Sequence, residues 1–140
     1  MKATLKRTLA IVLALVLMAA FVSCNKEEND VWENAVYTED QTLGEGAKTV
    51  TVEVKAQDKS VTFTVKTDKE TVGAALMEHG LIDGDEGPYG LYVKKVNGMI
   101  ADYDTDQHYW AFYVNGEISM TGVDVTEIAE GATYQMLYSK

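Results

Sequence analysis

From Thr49 to Lys66 the chain alternates apolar and polar residues with a period of two. Val50, Val52, Val54 and Ala56 share one face, with Thr51, Glu53 and Lys55 opposite. After Gln57-Asp58-Lys59, Val61, Phe63 and Val65 alternate with Thr62, Thr64 and Lys66. This period predicts two half-buried antiparallel strands joined as a hairpin. The period then changes. Val72, Ala75, Leu76 and His79 fall on one face of a helix, and Gly73, Ala74 and Ala75 are small enough to let it lie close on a sheet. Thr67-Asp68-Lys69-Glu70 fits a capping box, although Thr71 serves equally well as the cap. Gly80 followed by Leu81 predicts a glycine C-cap with its apolar contact, and His79 stands where a cation complements the helix dipole. Residues 82–88 (IDGDEGP) read as a loop by composition.

The stretch from Pro88 to Met120 organises the rest. It holds five of the eight tyrosines and one of the two tryptophans. It also holds Asn97-Gly98 and Asn115-Gly116, each between apolar-alternating runs. A type I′ turn needs positive φ at both central residues, so Asn-Gly in this setting is a strong hairpin signal. Leu91, Val93 and Val96 to Met99 predict a strand and turn, 102–108 an acidic loop, and 109–114 a strand. Residues 122–131 read as an acidic connection with Ile128 tucked in, and Tyr134, Met136 and Tyr138 as a final strand. A hairpin, one helix and three or four further strands make an α+β domain of β-grasp-like order over residues 49–140.

Two segments precede that domain. Lys2, Lys6 and Arg7 introduce an apolar run from Leu9 to Val22, too short for the roughly 20 residues of a membrane span. Phe21-Val22-Ser23-Cys24 resembles the lipobox of bacterial lipoproteins, with Phe21 where leucine is usual. Residues 1–23 are therefore expected to be a lipoprotein signal peptide, and lipid on Cys24 would anchor the protein to a bacterial cell surface; ordinary secretion is the alternative. Residues 24–48 are polar and acidic without a lasting period, which predicts a flexible tether. Trp32 and Tyr37 stand out in it, either as incidental residues or as anchors on the domain or a partner.

Charge narrows the partners. The formal net charge is −10, and loss of Lys2, Lys6 and Arg7 with the signal peptide makes it −13. The strongly acidic remainder, which has no arginine once Arg7 is gone, repels a polyanion and lacks the residue that supplies most bidentate phosphate and guanine contacts, which excludes nucleic acid. It also opposes adsorption to anionic lipid, leaving Cys24 as the membrane attachment. With Cys24 the one cysteine, no intramolecular disulfide forms and no cysteine metal site exists.

Catalytic chemistry finds little support. Asp102, Asp104 and Asp106 have the spacing that opens a calcium loop. Gln107 stands where glycine is needed, however, and Tyr113 where a bidentate glutamate is needed, so a solvated acidic loop is expected. Asp106 and His108 offer a carboxylate–imidazole pair with no nucleophile motif to serve. The remaining signal is aromatic. In a strand, Trp110, Phe112 and Val114 point one way and Tyr109, Ala111 and Tyr113 the other. Either one aromatic face is exposed for binding, or both are packed.

GLYVKKVNGMIA, HYWAFYVNGE, the glycine of TGVDV and the closing LYSK resemble the C-terminal domain of the cobalamin carriers transcobalamin and intrinsic factor. TVGAALMEHGL resembles the helix before them. The resemblance covers roughly residues 49–140, with the Tyr109-Trp110 pair and Gly122 its most specific part. It implies that a corrinoid is held by two segments. The first carries over Tyr89, Gly90, Leu91 and Tyr92, and the second Trp110, Phe112, Val114, Asn115 and Ile118. The carriers close this domain against a large helical domain that has no counterpart here, so a second surface protein would have to supply the missing half. The expectation is a surface-anchored, non-enzymatic module with a corrinoid as ligand and no cofactor required. The alternative is a protein- or glycan-binding adhesion module on the same aromatic patch.

Overall fold

The structure, a computed structural model, describes residues 30–140, of which Val31–Lys140 form one compact unit. The expected signal peptide over 1–23 and the expected lipidation site Cys24 lie outside the described residues. The alternating runs form β2 (Lys48–Ala56) and β3 (Lys59–Thr67), antiparallel and in register from Lys48 opposite Thr67 to Ala56 opposite Lys59. Their inward residues Val50, Val52, Val54, Ala56, Val61, Phe63 and Val65 are all buried. Burying one such side chain is worth about 1.5–3 kcal/mol against about 1 kcal/mol net for a ladder hydrogen bond. The apolar face therefore fixes the register, since a one-residue slip would turn it to water.

β9 (Thr133–Ser139) runs parallel to β2, placing Tyr134 beside Val52 and Met136 beside Val54. On its other side β9 pairs antiparallel with β7 (Tyr109–Val114), which pairs in turn with the short β8 (Glu117–Ile118). With β1 (Gln41–Leu43) parallel to β3, the order of this six-stranded mixed sheet is β1-β3-β2-β9-β7-β8. A smaller antiparallel sheet holds β4 (Ile82–Gly87), β5 (Gly90–Val96) and β6 (Met99–Ile100). The helix α1 (Val72–Glu78) adds Val72, Ala75 and Leu76 to the same core. Its N-cap is Thr71, whose hydroxyl accepts from the Ala74 amide; the Thr67 hydroxyl instead accepts from Lys69. Gly80, at φ +66°, ends the helix, with the Leu81 amide on the Leu76 carbonyl and the Gly80 amide on that of Met77. The α+β expectation holds, with strands dominating.

Three expectations are corrected. First, a flexible tether over 24–48 does not describe residues 31–48. A 3-10 turn, Val31–Asn34, puts Trp32 into the core at 7% exposure, its indole N–H donating to the Ala56 carbonyl at 2.9 Å. Tyr37 meets Phe63 edge to face at 5.7 Å, and β1 extends the sheet. The domain thus starts near Val31 rather than Thr49, and Trp32 is an anchor rather than incidental. Trp32 and Tyr37 stand out in the sequence, but without a period nothing there shows that they dock on this domain. Second, 82–87 is a strand, because backbone pairing with β5 needs no apolar side chain on an exposed edge. Six strands rather than three or four therefore follow the helix among the described residues. Third, the acidic loop contains a one-turn helix, α2 (Tyr103–Asp106), capped by Asp102.

Candidate functional site

The hairpin of β4 and β5 pairs Gly87 with Gly90, leaving Pro88 and Tyr89 as its tip. Tyr89 is 95% exposed. Gly90 adopts φ +104°, a conformation that side chains rarely tolerate, and a Cβ there would meet the Asp124 carboxylate at 2.8 Å. The other bond at this point is a charge-assisted one: the Leu91 amide donates to Asp124 Oδ2 at 3.1 Å. Asp124 Oδ1 is buried and accepts no hydrogen bond among the described residues.

Asp124 sits in the loop that leaves β8. Hydroxyl groups lace this loop together: Thr121 and Thr126 bond at 2.8 Å, and Thr126 donates to the Gly122 carbonyl at 2.7 Å. Helix α1 holds it from below, through the Val72 amide on the Thr126 carbonyl and the Gly73 amide on the Val123 carbonyl. The Tyr89 carbonyl lies 3.9 Å from where a side chain on Gly122 would begin. Ile118 is four residues from Gly122, so it lies within roughly 14 Å along even an extended chain. Ile118 at 60% and Met120 at 95% exposure lie on the stretch of chain that leads into this loop. Four residues expected at the site, Tyr89, Gly90, Asn115 and Ile118, remain at or near the surface. The Asn115 side chain accepts from the Thr133 amide, which fixes the β7–β8 turn.

The other expected site residues are placed differently. Trp110 is 7% exposed, donates its indole N–H to the Met99 carbonyl at 3.3 Å and meets Tyr138 edge to face. That removes it as a broad ligand contact. Phe112 stacks on Tyr134 at 6.0 Å, and Phe112, Val114 and Leu91 all pack on the core. The face with Trp110, Phe112 and Val114 is thus the inner one, while Tyr109 and Tyr113 opposite are half-buried.

Tyr92 lines an open cleft of about 380 Å³ with Asp85, Glu86, Gly87, Lys94, Asp102, Tyr103 and Asp104. Lys94 bonds Asp85 at 2.6 Å. That hydrogen bond, then the charge of Asp85 and those of Asp102 and Asp104, raise its ammonium above the ordinary 10.5 against a small desolvation. The aspartates of the expected acidic loop serve as local caps: Asp102 accepts from the Asp104 amide and the Thr105 hydroxyl, and Asp106 from the His108 amide. His108 Nδ1 lies 3.1 Å from Asp106, and its ring stacks on Tyr138. Among the described residues no group of three or more His, Cys, Asp and Glu side chains is arranged to hold a metal ion. Sequence reasoning missed Met120 and Asp124. The only signal near Asp124 is Gly122, two residues before it.

The sequence pattern of a domain of unknown function, DUF4430, matches residues 69–140, just over half of the chain. The chain is 30% identical to a protein of Ruminococcus gnavus ATCC 29149 named as a candidate metal binding protein. The two structures superpose with a TM-score of 0.64 over 67% of this chain and 98% of that one. Haptocorrin in complex with cobinamide shares the fold at 17% identity and a TM-score of 0.54, over 66% of this chain and 25% of that one. The chain thus spans a quarter of haptocorrin's length. Both neighbours are named for binding, not for catalysis. No curated protein sequence matches the chain.

Proposed function

We propose, from the premise that the chain belongs to the DUF4430 domain family, that it is a non-enzymatic binding module whose ligand is a corrinoid. The observation that carries this reading is the meeting of the Tyr89 turn and the loop after Ile118 at one end of the domain, joined through Asp124. The turn belongs to the first segment that the resemblance to cobalamin carriers implicates, and the loop follows directly on the last residue of the second, Ile118. The likeness to haptocorrin supports the fold, and its bound cobinamide suggests the ligand class. A corrin has a broad apolar face fringed by amides. Tyr89, Ile118 and Met120 offer exposed apolar surface, and the exposed Asn115-Gly116 turn offers polar groups. A single domain covers one face of such a ligand, so a second chain would supply the other. Lipid on Cys24 would hold the module at a bacterial surface.

The test is a calorimetric and absorbance titration of the protein with cyanocobalamin and cobinamide, using Tyr89→Ala as control. Saturable binding that weakens about tenfold or more in Y89A is expected, since an aromatic contact is worth roughly 1–3 kcal/mol. Absence of binding at near-millimolar ligand sinks the corrinoid reading. The protein- or glycan-binding alternative would then take its place on the same exposed Tyr89, Ile118 and Met120.

A further inference from the structure

We infer that Asp124 is a positioning residue: a half-buried aspartate whose carboxylate latches the Tyr89 turn to the loop after β8 and so makes one surface out of two segments. Three glycines from three parts of the chain close around it. A Cβ on Gly90 would stand 2.8 Å from both carboxylate oxygens, and one on Gly122 would stand 3.0 Å from Oδ1. One on Gly73, in the first turn of α1, would stand 2.9 Å from the Asp124 backbone. A Cβ on Gly73 would meet backbone, and those on Gly90 and Gly122 would press on the carboxylate itself, so the aspartate as placed fits among three glycines. Its backbone is fixed by the helix, since the amides of Val72 and Gly73 bond the carbonyls on either side of it, those of Thr126 and Val123. Its side chain then holds the Leu91 amide, two residues from Tyr89.

The unpaired oxygen separates this arrangement from ordinary loop packing. A buried acceptor left unsatisfied is a local cost, and Oδ1 carries that cost against Gly90 and Gly122. A serine or asparagine could satisfy the Leu91 amide without a buried charge. The carboxylate makes the stronger, charge-assisted bond where the tip, closed by the Gly87–Gly90 pair, meets the loop after β8. Tyr89 has almost no contact area of its own to hold it, so its placement depends on this bond. The consequence for ligand binding rests on the proposed function; the latch itself does not.

The experiment is residue-resolved amide hydrogen exchange on the protein, Asp124→Ala and Asp124→Asn, followed by cyanocobalamin titration of each. In D124A, exchange at Leu91 is expected to quicken roughly tenfold or more, while amides of β2 and β9 keep their protection. D124N keeps an acceptor oxygen and is expected to retain most of the Leu91 protection. Leu91 exchange in D124A within about twofold of the parent overturns the latch. So does an even loss of protection across β2 and β9 in both variants, which would make Asp124 a residue of the fold at large. If the parent binds, D124A is expected to weaken binding as far as Y89A does. A parent that binds no corrinoid removes the functional reading, and the exchange data still decide the latch.

Discussion

At the scale of single residues, the domain relies on isolated anchors that ordinary patterns do not flag. Trp32 combines near-complete burial with a hydrogen bond to the Ala56 carbonyl, at the end of the strand that centres the hairpin. Trp32→Ala removes both, and the expected loss is about 3–5 kcal/mol in urea denaturation; a loss below about 1 kcal/mol would mean that the anchor is dispensable. Asp106 gives a different kind of test. The hydrogen bond from the His108 amide, with smaller contributions from the His108 side chain, holds its carboxyl below the ordinary 3.8, against the opposing effect of desolvation. A lowered folded value means that its stabilisation is complete above pH 3.8 and is lost as the pH falls through the folded value. Asp106→Asn should therefore be less stable than the parent near neutral pH, and the two curves should converge at the acid end. A gap that stays constant across the titration would show that the charge plays no part.

At the scale of elements, legibility in the sequence follows periodicity. The β2–β3 hairpin, α1 with its Gly80 cap and both Asn-Gly turns were visible because burial on one face leaves a repeat. Asn97 and Asn115 both have φ +50°, with Gly98 and Gly116 following at +82° and +84°. β1, β4 and the 3-10 turn left no repeat. β1 is three residues long at an edge, and β4 pairs through its backbone with acidic and glycine residues outward. Asn97 shows how such elements are held. It is fully buried, and its side chain both accepts from the Tyr37 amide and donates to the Tyr37 carbonyl, as a paired strand would. A hairpin turn thus becomes the socket for the segment before β1. A chain cut to begin at Thr49 loses Trp32, Tyr37 and β1 together. It should melt roughly 15 °C or more below one that begins at residue 30, or lose its cooperative transition. Equal melting temperatures would restore the tether reading for residues 31–48.

At the scale of the whole molecule, one core serves two sheets, and the candidate site lies where loops from both meet. The aromatic residues of the sequence could not be sorted into core and surface by alternation alone, because β7 carries aromatics on both faces. The β9 register decides the matter, setting Trp110 opposite Tyr138 and Phe112 opposite Met136 on the inner side. Asp124 was hidden for another reason: its partners Leu91, Gly90 and Gly73 lie 33 or more positions away in sequence and form no motif with it.

The place of β9, between β2 and β7, governs how the chain can be made. Polypeptide leaves the ribosome from its N-terminal end, and until residues 133–139 emerge the sheet is split at its middle. For that interval β2 exposes an open edge beside Val50, Val52 and Val54, a ready template for pairing with another nascent chain. Closure of this sheet therefore waits for a strand far along the chain from β2, a long-range contact of the slow-forming kind. Messages truncated before Thr133 should yield aggregates rather than a shorter domain.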